Sequence, residues 1–166
     1  SVREPAFHIP SDWIYDRERE KAEQAGSTVV DATNVIATHI TEIIKRHSAD
    51  LLTRQETQKI LDHIKETAPA LVQESLQEAH LGGIQKVLQM LLREGISIRD
   101  MVTILETLAD KSKQMPDPMP RAEAVRTALA RSICENLKEP DGSVHVVTIS
   151  PDVEARIHQN CVFRPD

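Results

Sequence analysis

The stretch that most constrains the fold of this 166-residue chain is residues 28–56, which contains one complete helical pattern and the start of a second. Asp31 is a residue type that caps helix N-termini, and apolar residues recur after it at three- and four-residue spacing. They are Val35, Ile36, Ile40, Ile43 and Ile44, followed by His47. Thr53 and Glu56 then have the spacing of a capping box. The segment therefore predicts an amphipathic helix that is closely followed by another.

Helical patterning continues as far as residue 111. We expect interruptions where helix-breaking residues occur, at residues 48–53, Pro69, Gly82, Gly83 and Gly95. The helix before Gly95 should turn its apolar residues inward, namely Ile84, Val87, Leu88, Leu91 and Leu92. The next helix should begin at Ser97 and turn inward Met101, Ile104, Leu105 and Leu108. Because the connection between them is short, these two helices should pack as neighbours.

The segments on either side of this helical region have strand character. Residues 5–14 contain prolines that disfavour helix. The β-branched pair at residues 29–30 predicts a short strand after a charged surface helix at residues 16–25. Another strand is expected at residues 144–149, after a Pro-Asp-Gly turn, and the prolines of residues 111–120 predict a linker. The predicted fold class is α+β, predominantly α, with a helical subdomain flanked by small, truncated α/β pieces.

Composition agrees with this fold class and excludes several functions. With one Trp, one Tyr and two Phe, the chain must build its core from aliphatic side chains. Its 20 basic and 26 acidic residues give a net charge of −6, which lacks the positive field that nucleic-acid binding needs. No apolar run approaches the roughly 20 residues of a membrane-spanning helix. We therefore expect no nucleic-acid partner and no membrane contact by this fragment.

The sequence contains no pattern that indicates catalysis. His39 and Glu42 share a helix face, but a zinc-binding helix needs two strong ligands at four-residue spacing plus a third elsewhere, and the chain has no HxxxH or HExxH motif. We expect the His39 ring to pack beside Val35 and Ile36 and to form a local hydrogen bond. Neither a nucleophile elbow nor a phosphate-binding glycine loop is present. The expectation is a protein that is not an enzyme, with no catalytic residue, no metal and no cofactor.

Three large apolar residues, Phe7, Ile9 and Trp13, lie at alternating positions near the start of the chain. On an extended segment they would share one face. Two interpretations remain open at this point. The residues either seal a small sheet onto the helix that follows Asp31, or they leave an apolar groove open for a partner helix or strand.

Four segments, taken in order, carry a resemblance to a known protein family. They are residues 4–10 (EPAFHIP), 28–56, 87–94 (VLQMLLRE) and 98–101 (IRDM). In this order they resemble the FHIPEP family, the export-gate components of flagellar and virulence type III secretion systems. The resemblance extends over nearly the whole chain and favours the flagellar branch.

The resemblance implies an architecture in which a membrane domain precedes a cytosolic domain of four subdomains, which assembles into a nine-membered ring. Residues 1–31 would then end a small α/β second subdomain, and residues 32–51 would be the returning helix of the first. Residues 52–120 would form the helical third subdomain and a linker. Residues 121–166 would start a truncated C-terminal α/β subdomain. The full-length protein would lie at the cytoplasmic face of the bacterial inner membrane, and this chain would be a soluble piece of it.

The resemblance also implies a binding site. Flagellar members receive export chaperones with bound substrates in an apolar dimple, whose motif resembles Asp-Pro-x-Phe-Gly-Leu-Pro followed by a Val-Val-Asp segment and a Val-x-Ala-Thr-His helix. The matching residues here are Phe7, Ile9, Val30, Val35 and Thr38, with Glu4 in the acidic position. Glu4 replaces the usual Asp, and His8 replaces the usual Gly.

Other export-apparatus and ATPase-complex proteins are further partners that the resemblance implies, and export energy would come from the proton motive force and a separate ATPase. This segment would act by binding cargo complexes and passing cargo to the membrane channel. The alternative is a free-standing helical scaffold or adaptor that is derived from the family and has no transport activity.

Overall fold

The structure is a computed structural model that describes residues 2–160, and its fold is α+β and predominantly α, as predicted. The strands in this range are β1 (Val2–Arg3) and β2 (Pro10–Ser11). A 3-10 turn at Asp16–Glu18 precedes the helices, which are α1 (Arg19–Gln24), α2 (Ala32–Arg46), α3 (Ser48–Leu51), α4 (Arg54–Lys65), α5 (Pro69–Arg93), α6 (Met101–Lys111), α7 (Pro118–Ala128), α8 (Ala130–Asn136) and α9 (Pro151–Asn160).

The chain divides into two compact units, Ser1–Leu129 and Ala130–Asp166. The finer subdomain boundaries predicted after residues 31, 51 and 120 stay predictions. Among the described residues, no helix combines the length and the apolarity that a bilayer span requires.

The core of the first unit is built around α5, which packs against α3, α4, α6 and α7. Its fully buried large side chains are aliphatic, as the shortage of aromatic residues requires: Leu61, Ile84, Val87, Leu88, Leu91, Ile104, Leu105, Leu108 and Val125. The predicted inward faces of α5 and α6 are confirmed, except that Leu92 is only half-buried. Adjacency of these two helices is confirmed as well, because the short connection brings their apolar faces together.

Side-chain caps fix where the helices begin. The Asp31 carboxylate accepts a hydrogen bond from the Asn34 amide at 2.9 Å, and the Thr53 hydroxyl accepts one from the Glu56 amide at 3.2 Å. Both predicted N-caps are therefore present. The reciprocal bond of the capping box is not formed, because the Glu56 carboxylate accepts from Lys59 Nζ at 2.8 Å and the Thr53 amide donates to the Leu51 carbonyl at 3.0 Å. The helix expected from Ser97 begins later, at Met101, because the Asp100 carboxylate accepts from the amide of Thr103 at 3.1 Å.

The break predicted at the glycine pair lies elsewhere. Helix α5 runs through Gly82 and Gly83, and its kink is at His80, whose φ of 56° and ψ of 154° are not helical. A residue with a β-carbon is rarely found in this backbone region, which normally belongs to glycine. The glycines are instead in helical segments where side chains from other helices approach closely.

The proline-rich segment is a linker only in part. Helix α7 begins inside it, with Pro118 in its first turn and the Asp117 carboxylate accepting from the Met119 amide at 3.1 Å. First-turn amides have no intrahelical acceptor, so prolines there remove no helical hydrogen bond.

Two predicted strands are not observed. Residues 29–30 and 144–149 have no regular secondary structure, and the only ladder in residues 2–160 is the short antiparallel pair β1–β2. A strand requires a partner edge, which apolar and β-branched residues alone do not supply.

Within the second unit the described helices are α8 and α9, and Cys134 on α8 is an exposed free thiol. The part of the predicted C-terminal subdomain after residue 160 lies outside the described residues.

Candidate functional site

The β1–β2 loop folds into a single capped turn that begins at Glu4. One carboxylate oxygen of Glu4 accepts a hydrogen bond from the Ala6 amide at 2.9 Å, and the other accepts from the Phe7 amide at 2.6 Å. Pro5 has no amide hydrogen to satisfy. These are the positions that an N-cap residue serves in a helix, where its side chain accepts from the second or third following amide.

His8 closes the turn. Its amide donates to the Glu4 carbonyl at 2.9 Å, and the Glu4 amide donates to the Ile9 carbonyl at 2.9 Å. The φ of His8 is 58°, in the left-handed region that favours glycine. Arg3 donates from Nη1 to the His8 carbonyl at 3.1 Å, which ties the turn to β1. His8, where the resemblance implies a Gly, therefore adopts a backbone conformation that glycine favours.

The electrostatics of Glu4 follow from these contacts. Hydrogen bonds from the Phe7 amide and then the Ala6 amide lower the pKa of Glu4 below its ordinary value of 4.5, because they favour the charged carboxylate. Positive charge on His39 and His8 lowers this pKa further.

The apolar residues of the loop face solvent. Phe7 is 58% exposed, Ile9 is 56% exposed and Trp13 is 71% exposed, whereas Ala6 between them in sequence is 6% exposed. The expectation of one shared face on an extended segment is wrong for Phe7, because residues 5–7 form a turn. The sealing interpretation is also wrong for this structure, because a sealing residue would be buried.

Helix α2 supplies the other half of the predicted site. Val35 and Thr38 are half-buried and lie three residues apart, so they are neighbours on one face. Val30 precedes the Asp31 cap and is exposed. The apolar face that the sequence predicts is present, but it is open: Ile36, Ile40, Ile43 and Ile44 are all exposed.

His39, next to Thr38, behaves differently from the expectation. Its Nδ1 atom is buried and has no hydrogen-bond partner among the described residues, so the predicted local bond is absent. A buried polar atom without a hydrogen-bond partner costs free energy, because it has lost its bonds to water. His39 belongs to the Val-x-Ala-Thr-His motif, but the spacing of residues in that motif does not indicate an unsatisfied nitrogen.

The structure groups the six predicted residues in two sets. Glu4, Phe7 and Ile9 share the capped turn, while Val30, Val35 and Thr38 belong to α2 and its approach. Their role in binding stays a prediction. The cap formed by Glu4 was not foreseen, although Pro5, a residue type favoured at the first position of a helical turn, could have indicated that a turn begins there.

Two other carboxyl groups, those of Asp31 and Asp141, have lowered pKa values, and hydrogen bonds from nearby residues are the cause. The Asn34 amide holds the pKa of Asp31 below its ordinary range, and the Ser143 hydroxyl and amide do the same for Asp141. In residues 2–160 no group of three His, Cys, Asp or Glu side chains is placed to hold a metal ion. These carboxylates are accounted for as caps and turn acceptors.

Comparison with known proteins matches this chain to one protein family. A model of the FHIPEP family matches residues 1–164. The flagellar biosynthesis protein FlhA of Borreliella burgdorferi is 44% identical over 156 residues, which are 94% of this chain and 22% of that protein. FlhA of Bacillus subtilis is 44% identical over 155 residues, which are 93% of this chain and 23% of that protein. The chain therefore spans less than a quarter of the length of these relatives.

Solved structures agree with the fold. The Chlamydia pneumoniae CdsV protein superimposes with a TM-score of 0.86 at 24% identity, covering 99% of this chain and 49% of that one, which is a likeness of fold alone. The nonameric EPEC SctV-C, solved by cryo-electron microscopy, superimposes with a TM-score of 0.64 at 25% identity, covering 90% of this chain and 54% of that one.

Proposed function

Because the chain belongs to the FHIPEP family, we propose that it is part of the docking platform of a type III protein export gate of the flagellar kind. In this role it binds export chaperones that carry substrates and passes the cargo towards the membrane channel. The full-length protein would lie at the cytoplasmic face of the bacterial inner membrane. The support is the family match over residues 1–164 together with 44% identity to two flagellar relatives.

The observation that carries the docking role is the presentation of Phe7. The residue is 58% exposed, although the turn that carries it is held by two side-chain and two backbone hydrogen bonds. An exposed aromatic on a preorganised turn loses little conformational entropy on binding, which is the property of an interface anchor. In a chain with so few aromatic residues, Phe7 is the largest apolar surface available among the six predicted residues.

The proposed role is binding and not catalysis. The acids with lowered pKa values, Glu4, Asp31 and Asp141, all owe the shift to nearby hydrogen-bond donors of their own segments. Catalytic acids and bases need a reacting group within hydrogen-bond reach and a pKa matched to proton transfer. These carboxylates are instead engaged with backbone amides.

Ring assembly is the proposed oligomeric state of the full-length protein. It is supported by the likeness to nonameric EPEC SctV-C, which covers 90% of this chain. Contacts with other export-apparatus and ATPase-complex proteins are part of the same proposal.

Titration calorimetry against a flagellar export chaperone bound to its substrate tests the docking role. Phe7→Ala should weaken binding by at least about 2 kcal/mol, or about thirtyfold, as expected for a central aromatic anchor. Tyr15→Ala is the matched control, because Tyr15 is an aromatic residue that is 70% exposed and is not part of the predicted site. Both variants should keep the parent helix content, since neither ring is buried.

A second pair of variants tests the α2 half of the site. Thr38→Asp places a charge on the half-buried face, and a desolvated unpaired charge disfavours binding. Ala37→Asp, at the exposed neighbouring position, should have little effect. Affinity equal to the parent in folded Phe7→Ala and Thr38→Asp would refute the docking site.

A further inference from the structure

Helix α2 is joined to the helical core through α3, which is only four residues long. None of the residues of α2 is buried. Helix α2 packs against α3, and α3 in turn packs against α5. Ala49 within α3 and Leu52 at its C-terminus are buried. The position of α2 relative to the core therefore depends on how α3 and the residue after it are held.

The carbonyl group of Leu52 lies between two helices, after the last residue of α3 and before the Thr53 cap of α4. Two side chains of α5 bind it: Nε2 of Gln85 and Nε2 of Gln89 each donate a hydrogen bond to its oxygen at 3.0 Å. A backbone carbonyl has two lone pairs, so the two glutamines use its full capacity as an acceptor.

The two donors belong to one stripe of α5 that also contains Gly82. These three positions are three and four residues apart, so they share a face of the helix. At Gly82 the guanidinium of Arg54, the first residue of α4, comes within 2.8 Å of the point where a β-carbon would stand. Residues 52–54, the junction between α3 and α4, therefore lie along this face of α5.

We propose that Gln85 and Gln89 form a clamp that holds the α3–α4 junction on α5 and thereby fixes the direction in which α2 leaves the helical core. Both glutamines are half-buried, so water competes for their hydrogen bonds. The clamp can consequently open while the aliphatic core stays packed, which makes it a conformational device. This inference goes beyond the proposed function and does not depend on it.

Residual dipolar couplings test the clamp by NMR in the 166-residue chain without any partner. In the parent, the backbone couplings of α2 and α5 should fit one alignment tensor, as they do for a rigid body. Gln85→Leu/Gln89→Leu removes both donors at nearly constant side-chain size. The couplings of α2 should then shrink by at least about twofold, because reorientation on the microsecond to millisecond timescale averages them. Those of α5 and α6 should not change.

The matched control is Gln73→Leu/Gln77→Leu. These two residues have the same type, the same helix and the same four-residue spacing as the clamp, but they are exposed. The control removes two glutamines from α5 without removing a bond to the junction. The couplings of α2 should therefore stay equal to those of the parent.

Amide exchange in the single variants supplies a second measurement. The amides of Leu51 and Leu52 donate to the carbonyls of His47 and Ser48 at 3.1 and 3.2 Å. In Gln85→Leu or Gln89→Leu one clamp bond remains, so the chain should fold even where the double variant does not. Each single variant should exchange these two amides about fivefold faster than the parent, since exchange follows local opening.

Three results would overturn the proposal. The first is parent-like α2 couplings in Gln85→Leu/Gln89→Leu while α5 and α6 remain ordered. The second is an α2 that already needs its own alignment tensor in the parent, or that is released equally by the control. The third is parent-like exchange of the Leu51 and Leu52 amides in both single variants, which decides the question if the double variant unfolds.

Discussion

Nη1 of Arg121 lies 2.9 Å from the point where a β-carbon on Gly83 would stand, so the guanidinium of α7 fills the space that the glycine of α5 leaves open. Arg121 is buried, and it is held in place because its Nε donates to the Met115 carbonyl and its Nη2 donates to the Ser112 carbonyl at 3.3 Å. The glycine pair therefore serves helix packing and not helix termination.

This contact predicts opposite results for two neighbouring substitutions. Gly83→Ala should lower the free energy of unfolding by about 1–2 kcal/mol, because the fixed Arg121 guanidinium cannot move away. In Gly82→Ala the new β-carbon would contact only Arg54, whose Nη2 lies 2.8 Å from its position. The Arg54 side chain is exposed, so it can move into solvent. Gly82→Ala should be neutral or stabilise the protein by up to about 1 kcal/mol through helix propensity. Denaturant unfolding measures both, and equal effects would contradict this explanation.

The kink of α5 predicts that His80→Gly stabilises the protein. His80 has a φ of 56° and a ψ of 154°, a conformation that costs a residue with a β-carbon about 1–3 kcal/mol. Glycine removes most of that cost, so thermal unfolding should occur at a higher temperature. His63→Gly in the regular backbone of α4 is the control and should destabilise by roughly 1 kcal/mol. A loss of stability in both variants would mean that the His80 side chain contributes more than its backbone costs.

The buried face of α6 predicts a large effect at Ile104. This side chain is fully buried, so Ile104→Ala should lower the free energy of unfolding by about 2–5 kcal/mol through lost burial and a residual cavity. Val102→Ala, two residues earlier and exposed, should stay within about 0.5 kcal/mol of the parent. An unchanged denaturation midpoint for Ile104→Ala would contradict the packing of α6 in the core.

The Asp31 cap predicts a pH dependence confined to the start of α2. The Asn34 amide lowers the pKa of Asp31 below its ordinary value of 3.8, so the folded state favours the carboxylate. Its stabilising contribution is therefore fully present above the ordinary value and is lost as the pH falls through the lower folded-state value. The Asn34 amide shift should follow this titration by NMR. Asp31→Asn keeps an acceptor oxygen and should abolish it; persistence of the transition would assign it to another group.

For the candidate site, sequence reasoning identified the residues but not how they are held. The resemblance pointed to Glu4 and Phe7, and both lie on one ordered turn. The pattern at alternating positions misplaced Phe7 because it assumed an extended backbone, whereas Pro5 and the Glu4 carboxylate together favour a helical turn. The buried Nδ1 atom of His39 has no hydrogen-bond partner among the described residues, and no pattern of residue spacing predicts that.

The sequence by itself determined the features that depend on neighbours along the chain. The caps at Asp31 and Thr53 and the inward faces of α5 and α6 follow from local hydrogen bonding and from the 3.6-residue helical period. Tertiary structure decided the features that depend on distant segments. Helix α5 kinks at His80 and runs through the glycine pair, where arginines from α4 and α7 approach it. Residues 29–30 do not form a strand, and within residues 2–160 the only paired strands are β1 and β2. Those outcomes depend on which side chains and strand edges meet in space, and residue spacing along the chain does not contain that information.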